Sequence, residues 1–318
     1  MSLIEQAAKR LEQLRQAGVE LPGEHLSPSS IINPKAKQDE HVPFPTSITQ
    51  PNKSESSIPV ATIEVSQAPA RQGKCVELNL EAISASGLLV PQATRSQLAD
   101  EYRVIKRPLI ANAMGRGSKP VNNGNLIMVT SALPGEGKSF TAINLAISIA
   151  MELDNTVMLV DADVARPSIL NMLALPPAQG LLDVVVKNSV DISDVLLRTN
   201  IEKLSILPSG TAHPRATELL ASDAMIRLLD DMAKRYSDRI IIFDSPPLLL
   251  TTESRALATH MGQIILVVNA ENTAQAAVKQ AVSAIEACPV KMLVLNQARQ
   301  ASTDGYGYGY GYGYGNEN

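Results

Sequence analysis

The sequence contains few aromatic residues and no tryptophan. Aromatic side chains make up 3% of the 318 residues, whereas apolar residues as a group make up 45%. A hydrophobic core must therefore be built mainly from Ile, Leu, Val, Ala and Met, as is usual for a parallel sheet covered by helices. The length is sufficient for one large α/β domain of roughly 200 residues together with accessory segments.

Cysteine is equally scarce, since the chain contains only Cys75 and Cys288. Two cysteines so far apart lack the close spacing of a metal or redox motif, and we expect neither kind of site. No apolar run approaches the roughly 18 residues of a membrane-spanning helix, and the N-terminus lacks the apolar middle of a signal peptide. We therefore expect a cytoplasmic protein with reduced thiols.

Excess charge of either sign is also lacking. The formal net charge is only −4, and the charged residues are scattered along the chain. A surface that binds nucleic acid needs a concentrated basic face, so we expect no nucleic-acid partner.

The first 75 residues divide into two segments of different composition. Residues 1–20 carry apolar side chains at helical spacing after a capping box formed by Ser2 and Glu5, which predicts an amphipathic helix. Such a helix could dock to a partner or pack on its own domain, and both alternatives stay open. Residues 21–75 are rich in Pro, Ser, Thr and Gln, and this composition predicts a disordered linker.

The remainder of the chain shows the patterning of an ordered domain followed by a repeat. Residues 76–120 are predicted to be a helical lead-in, with a helix from Thr94 to Lys106. In residues 121–300 short apolar runs alternate with helical stretches, which is the βαβ rhythm of an α/β domain. Residues 301–318 are predicted to be a flexible tail, because they contain GYGYGYGYGYG. The predicted strands are Leu126–Thr130, Val157–Val160, Leu204–Leu207, Ile240–Phe243, Ile264–Val268 and Met292–Leu295.

The segment SALPGEGKS lies between the first of these strands and a helix predicted to begin at Lys138. A strand, a Gly-rich loop, Lys-Ser and a helix form the context of a phosphate-binding P-loop. The glycines let backbone N–H groups surround a phosphate, the helix N-terminus adds favourable partial charge, and Ser139 can ligate Mg²⁺. Ala132 replaces the usual first glycine, but the glycines nearest the phosphates are kept. The predicted nucleotide-binding residues of this segment are Pro134, Gly135, Glu136, Gly137, Lys138, Ser139 and Phe140.

Acidic residues follow two further predicted strands. Asp161 and Asp163 lie in DADVARP after the second strand, and Asp244 follows the strand IIIF. Ligands of open α/β sheets bind at the carboxyl ends of the strands. We therefore predict that Asp161 and Asp244 hold Mg²⁺ together with Ser139. The predicted catalytic residues are Lys138, Asp161, Asp163 and Asp244, although Asp163 could instead only cap the turn that follows it.

The segments SALPGEGKS, VMLVDADVARP and IIIFDSPP resemble the Walker A, Walker A′ and Walker B motifs of the bacterial tyrosine kinases, a P-loop family. The resemblance runs from about Ser96 to the C-terminus. It implies a three-layer α/β fold of the P-loop NTPase class with a mainly parallel sheet, and ATP and Mg²⁺ as cofactors. It also implies that Asn296, after the last strand, contacts adenine.

The family carries an E-x-x-R-x-x-R pattern that is used in subunit contacts, and Asp100, Arg103 and Lys106 resemble it. The resemblance therefore implies self-association into a ring-like homo-oligomer through these three residues. The alternative is that they only form i,i+3 pairs on an exposed helix.

The N-terminal helix, the linker and the segment EYRVIKRPL further resemble the autokinases of exosortase-type exopolysaccharide loci. This resemblance implies a role in regulating exopolysaccharide polymerisation and export. It also implies a membrane partner of the chain-length-determinant or polysaccharide co-polymerase type, which would recruit the protein to the inner face of the membrane.

Five of the seven tyrosines lie in the C-terminal repeat, where alternating glycines allow each to reach an active site. A tyrosine is un-ionised near neutral pH because its pKa is about 10, so phosphoryl transfer to it needs a carboxylate that accepts the proton. Asp161 and Asp163 are both candidates for this base. The tail could instead only solvate the protein or self-associate. The predicted autophosphorylation sites, modified in trans, are Tyr306, Tyr308, Tyr310, Tyr312 and Tyr314.

The main alternative function is a partition or septum-placement type of ATPase, which shares the Walker A′ strand. Such proteins typically carry an additional, earlier lysine in the P-loop, and the segment from Ser131 to Gly137 has none. They also lack a tyrosine tail. A scaffold with an inactive nucleotide fold is disfavoured because Lys138 and Ser139 are retained. A protein-tyrosine kinase is therefore the favoured function.

Overall fold

The structure of the protein is a computed structural model that describes residues 74–93, 95–187 and 189–298. The predicted N-terminal helix, the linker up to residue 73 and the tyrosine tail lie outside the described residues. None of the described helices is both long and apolar enough to cross a membrane.

The described strands form one eight-stranded sheet in the order β1-β4-β5-β3-β6-β2-β7-β8. All neighbouring strands are parallel except β4 and β5, so the predicted, mainly parallel sheet is confirmed. The strands are β1 (Lys74–Val76), β2 (Leu126–Ser131), β3 (Thr156–Asp161), β4 (Leu197–Thr199), β5 (Leu204–Leu207), β6 (Arg239–Asp244), β7 (Gln263–Asn269) and β8 (Val290–Asn296).

Six of these strands contain the six predicted apolar runs. The other two, β1 and β4, are three residues each. A segment of this length is too short to show an alternating pattern, which is why the sequence did not predict them. Lys74 and Cys75 belong to β1, although their composition assigned them to the linker.

The described helices alternate with these strands along most of the domain. They are α1 (Leu80–Ala85), α2 (Gln97–Ala113), α3 (Lys138–Ala150), α4 (Ile169–Met172), α5 (Leu181–Val186), α6 (Ile192–Val195), α7 (Ala216–Leu220), α8 (Asp223–Arg235), α9 (Thr252–Ala258) and α10 (Gln275–Ala284). The segment from Ala216 to Tyr236, whose composition favours one continuous helix, is divided into α7 and α8. Ser222 separates them because its hydroxyl accepts the N–H of Met225 at 3.3 Å and so begins a new helix.

Helices cover both faces of the sheet, which confirms the predicted three layers. Successive residues of β2 enter different cores: Met128 packs in a cluster with Leu229 of α8, and Ile127 packs in a cluster with Leu109 of α2 and Ile143 of α3. Because β2 is buried on both faces, it reads in the sequence as a continuous apolar run rather than an alternating one.

This topology brings the predicted functional segments to one edge of the sheet. The central strands β3, β6, β2 and β7 are adjacent and parallel, so their carboxyl ends lie side by side. Asp161 and Asp244 are direct neighbours in the register of β3 and β6. The loop that follows β2 starts between the ends of β6 and β7.

Candidate active site

The loop between β2 and α3 has a backbone that depends on two glycines. Gly135 and Gly137 have φ angles of +82° and +93°, a region that other residues rarely adopt. A Cβ atom at Gly137 would also lie 2.0 Å from Nδ2 of Asn296. Gly137 immediately precedes α3, whose first N–H groups have no partner within the helix. The loop and the helix N-terminus therefore form a cradle suited to a phosphate.

Glu136 anchors this loop from within the protein. Its carboxylate accepts the backbone N–H of Leu133 at 2.7 Å and the hydroxyl of Thr273, and its side chain is buried. Its carbonyl oxygen accepts the side-chain amide of Asn296 at 2.9 Å. The side chain of Glu136 is therefore engaged inside the fold, and only its backbone remains for a nucleotide.

Asn296 belongs to the same anchor, and Gln297 extends it by donating to the carbonyl oxygen of Gly135 at 3.4 Å. The resemblance implied an adenine contact for Asn296, but its amide nitrogen is bonded to the loop and the residue does not line the cavity described below. The bond from its amide nitrogen does not involve the side-chain carbonyl oxygen, so the adenine contact stays a prediction.

Two buried carboxylates at the ends of β3 and β6 lack a full set of partners. Both oxygens of Asp244 and Oδ1 of Asp161 are buried and accept no hydrogen bond from any described residue. Oδ2 of Asp161 accepts the backbone N–H groups of Ser168 and Ile169, each at 3.1 Å. Buried polar atoms without a partner are rare and costly, so a cation or a proton is needed here.

The protonation of these carboxylates reflects the same geometry. Burial raises the pKa of Asp161 to about 7, and the charge of Asp244 contributes to the rise. Burial likewise raises the pKa of Asp244 to about 6, although the positive charge of Lys138 lowers it. A Mg²⁺ ion would relieve both groups, since it prefers carboxylate oxygens as ligands. The orphaned oxygens thus fit the metal that the sequence predicts.

The protein offers only part of a coordination shell for such an ion. Within the described ranges, no three His, Cys, Asp or Glu side chains are grouped so as to hold a metal. Mg²⁺ sites that act on nucleotides typically use one or two carboxylates and complete the shell with phosphate oxygens and water.

Lys138 faces these carboxylates from the first position of α3. Its Nζ lies 2.8 Å from Oδ2 of Asp163, and both side chains are largely buried. Burial by itself would lower the pKa of Lys138, but the negative charges of Asp244, Asp163 and Asp161 outweigh it and raise the pKa. Asp163 also accepts the N–H of Arg166 at 3.2 Å. It therefore caps the turn and pairs with the P-loop lysine at once.

Ser139 has a neighbour that the sequence did not predict. The hydroxyl of Ser168 donates to the hydroxyl of Ser139 at 2.9 Å, and Lys138 approaches the same oxygen at 3.4 Å. Ser168 lies five residues after Asp163 and does not belong to a recognised motif. Its contact with Ser139 at the start of α3 is therefore visible only in the folded structure.

A cavity of about 580 Å³ opens in front of these groups, a size in the range of small-molecule sites. One side is polar and consists of the P-loop, Lys138 and Asp163. The other side is mostly apolar and comes from Met172 and from the loop after β6. Pro246 and Pro247 of this loop belong to the motif IIIFDSPP, whereas Met172 belongs to no motif. The lining residues are Pro134, Gly135, Gly137, Lys138, Ser139, Phe140, Asp163, Ala165, Arg166, Ser168, Met172, Pro246, Pro247, Leu250 and Thr251.

The three residues predicted for subunit contacts do not share one surface. Asp100 and Arg103 form an ion pair on α2. Lys106 is buried instead: its Nζ donates to the carbonyl oxygen of Ser148 at 2.6 Å and pairs with Glu152 at 2.6 Å. Lys106 belongs to α2, but its amino group lies at the C-terminal end of α3. There it donates to a carbonyl group that has no partner within α3. This placement argues against a role for Lys106 in a subunit contact.

Comparison with known proteins agrees with this geometry. A family model described as an AAA domain matches residues 124–297. The chain is 32% identical over 199 residues to the tyrosine-protein kinase YwqD of Bacillus subtilis, covering 63% of this chain and 80% of that protein. It is 33% identical over 183 residues to the succinoglycan biosynthesis transport protein ExoP of Rhizobium meliloti, covering 57% of this chain and 22% of that protein.

Among solved structures, the chimerical protein CapA2B2 is similar with a TM-score of 0.56 and 29% identity. The match covers 69% of this chain and 98% of that one.

Proposed function

This chain belongs to the bacterial tyrosine kinase family of P-loop proteins, and we propose that its cavity transfers the γ-phosphoryl group of ATP to tyrosines of its own C-terminal repeat. The observation that carries this proposal is the pair of Lys138 and Asp163. It joins the phosphate cradle to an acidic cluster and lines the cavity. A phosphoryl-transfer site needs both a cation for the developing charge and a carboxylate for the acceptor proton.

ATP binds with its phosphates against the backbone N–H groups of the P-loop. Ser139, Asp161 and Asp244 would hold Mg²⁺, which neutralises phosphate charge when bound. This assignment is supported by the orphaned oxygens of the two aspartates. Lys138 turns from Asp163 towards the phosphates, because a phosphate cluster carries more negative charge than one carboxylate.

Asp163 is then free to act as the base. The sequence left Asp161 and Asp163 as alternatives, and we favour Asp163 because it lines the cavity whereas Asp161 does not. The phenolic oxygen of the acceptor tyrosine forms a bond to the γ-phosphorus as the bond to the bridging oxygen of ADP breaks. The phenolic proton passes to the carboxylate of Asp163, and ADP leaves.

The start of the tail supports the choice of substrate. β8 ends beside the P-loop, where Asn296 donates to the carbonyl oxygen of Glu136. The repeat begins at Gly305, nine residues after Asn296. A segment of nine residues spans at most about 30 Å, so the first tyrosines stay within reach of the edge of the sheet that carries the cavity. We further propose that transfer runs in trans between copies in a ring-like homo-oligomer, and that a membrane polysaccharide co-polymerase recruits them.

A mixing experiment tests both the activity and its direction. One full-length variant has Lys138→Met and an intact tail, and the other has an active cavity with all five tail tyrosines changed to Phe. With ATP and Mg²⁺, we expect no phosphotyrosine on either variant alone and phosphorylation of the Lys138→Met tail in the mixture. Labelling of wild type but not of the mixture would contradict transfer in trans. No labelling of wild type would contradict the kinase function itself.

A further inference from the structure

A second cavity, of about 290 Å³, lies beside the first one. Its lining residues are Pro167, Leu170, Asn171, Leu175, Pro177, Ala178, Ser209 and Gly210. The two cavities share a wall, residues 166–172. Arg166 and Ser168 line the first cavity, whereas Pro167 between them lines the second. The two cavities are therefore neighbours along residues 166–172.

The second cavity combines an apolar lining with a few polar groups. Five of its eight lining residues are Pro, Leu or Ala. Asn171 and Ser209 supply an amide and a hydroxyl, and neither side chain is hydrogen-bonded to another described residue. Its volume is at the lower limit of small-molecule sites, which suits one ring rather than a whole nucleotide. An apolar wall with a polar group nearby fits a phenol, which has an apolar ring and a polar tip.

The far wall of the second cavity is held rigidly by a buried carboxylate. Asp183 accepts the N–H of Gly180 at 3.0 Å, the N–H of Thr211 at 2.9 Å and the hydroxyl of Thr211 at 2.9 Å. These bonds fix the loop that contains Ser209 and Gly210. Gly180 allows this loop to lie close, since a Cβ atom there would be 1.9 Å from the carbonyl oxygen of Pro208. The cavity is therefore formed before a ligand arrives.

The Gly-Tyr repeat presents tyrosines at every second position. In an extended chain, residues i and i+2 lie on the same side and are about 6.5 to 7 Å apart. Successive tyrosines of GYGYGYGYGYG would then point to the same side. The glycine between them has no side chain, so the backbone can lie close over the wall at 166–172.

We propose that the second cavity is a substrate subsite that binds a tyrosine ring of another copy's repeat, two residues from the tyrosine that accepts the phosphoryl group. This inference rests on the proposed kinase function and adds a requirement on the substrate. A phosphorylated tyrosine carries about −1.5 to −2 charges and does not fit an apolar cavity. The enzyme should therefore prefer acceptors whose neighbour is still unmodified.

Two acceptor peptides test the subsite. Each has one central tyrosine in a glycine repeat, flanked at both i−2 and i+2 by Phe in one peptide and by Ala in the other. The enzyme is the full-length chain with its five tail tyrosines changed to Ala, which removes competition. We expect a KM about tenfold lower for the Phe-flanked peptide with a similar kcat, because one buried ring contributes about that factor to binding. Equal KM values for the two peptides would overturn the proposal.

Ala178→Phe tests the location, because a large side chain at this half-buried position fills the second cavity. It should raise the KM of the Phe-flanked peptide to that of the Ala-flanked one and leave the Kd of ATP unchanged. Ala287→Phe is the matched control, since Ala287 is exposed and lines neither cavity. An equal rise in KM for both peptides would place the effect elsewhere and overturn the assignment.

Binding without turnover separates this inference from the kinase function. An all-Phe repeat peptide, titrated by calorimetry into the same full-length protein, needs no phosphoryl transfer. We expect its affinity to fall about tenfold with Ala178→Phe and to persist with Ala287→Phe. Unchanged affinity in Ala178→Phe would refute the subsite even in an active kinase. Loss of activity with this binding pattern retained would instead refute only the kinase function.

Discussion

Asp244 and Asp183 are both buried carboxylates, yet their surroundings are opposite. Asp183 is bonded to two backbone N–H groups, to the hydroxyl of Thr211 and to Lys187 at 3.3 Å. Neither oxygen of Asp244 has a partner among the described residues. A carboxylate whose hydrogen bonds are all made within the protein holds two segments together. A buried carboxylate without such hydrogen bonds provides a site for a cation, and its burial lowers the stability of the fold.

Each of these regions also contains a lysine, and the two lysines provide the sharpest test of the comparison. Lys138→Met should reduce phosphoryl transfer by about a thousandfold or more, because it removes positive charge from the transferring phosphoryl group. Lys187→Met removes the lysine beside Asp183 and should change the rate by less than about twofold. Phosphotyrosine formation per minute at saturating ATP measures both. A comparable loss of phosphorylation rate in the two variants would contradict the distinction between the surroundings of Asp244 and those of Asp183.

The aspartates themselves should respond with opposite changes in stability. Asp244→Asn should lower kinase activity by about a hundredfold and raise the Tm of the nucleotide-free protein by about 3 °C, since it removes an uncompensated buried charge. Asp183→Asn should lower the Tm by about 5 to 10 °C, because the amide nitrogen that replaces Oδ1 cannot accept from the hydroxyl of Thr211 or from Lys187. Calorimetry and a kinase assay give the two readings. A lower Tm for Asp244→Asn would show that its charge is compensated.

The hydrogen bonds that anchor the P-loop should have an effect of intermediate size on activity, because they act on the site indirectly by holding the loop. Thr273→Val removes the hydroxyl that Glu136 accepts and should raise the KM for ATP about tenfold with a smaller change in kcat. Thr273→Ser should restore most of the affinity. Thr259→Val is the control, since that hydroxyl bonds only to the carbonyl oxygen of Ala256 at an exposed helix end. An effect in Thr259→Val as large as in Thr273→Val would mean that the loop is not held by this contact.

The smallest expected effect is a dependence of stability on pH. Asp161 has a pKa of about 7 in the folded protein, above the ordinary value of about 3.9. The folded state therefore holds a proton that the unfolded state has released, so stability is lost as the pH rises through this interval. The Tm of the nucleotide-free protein should fall by about 2 to 6 °C between pH 5 and pH 8, and less in Asp161→Asn.

Asp183→Asn provides the contrast for this measurement. Although burial raises the pKa of Asp183, hydrogen bonds from Thr211 and Gly180 lower it overall. Its pKa therefore lies below the ordinary range of an aspartate, and the variant should have a lower Tm but the same slope between pH 5 and pH 8. If Asp161→Asn retained the full wild-type slope, the pH dependence would have to come from other groups.

Much of the fold could be predicted because its signals are local. The six longer strands are apolar runs, and the helix after Lys138 follows a P-loop motif. The elements that escaped prediction depend on contacts outside their own segment. β1 pairs with β4, which is far away along the chain, and the two strands contribute three residues each. The division between α7 and α8 depends on one hydroxyl, that of Ser222, within a segment whose composition is helical throughout.

The site shows the same division between local motif and tertiary contact. Lys138, Ser139, Asp161, Asp163 and Asp244 are recognisable from their positions at strand ends. Ser168, Met172 and Leu250 are not, because no motif relates them to the P-loop. The resemblance gave Lys106 a role in subunit contact, whereas the structure places it against the end of α3. Asn296 bonds to the P-loop, and its contact with adenine stays a prediction.

The chemical groups at the site and the P-loop that cradles a phosphate can be identified from local signals, because strand, loop and helix patterns extend over about 20 consecutive residues. Which of these groups have hydrogen-bond partners depends on residues that are distant along the chain and meet only in the folded protein. Asp183 and Asp244 are the same residue type, and the sequence does not indicate whether N–H groups surround the carboxylate of either one. That difference arises because Thr211 and Gly180 converge on Asp183, whereas neither oxygen of Asp244 accepts a well-aligned hydrogen bond from a described residue.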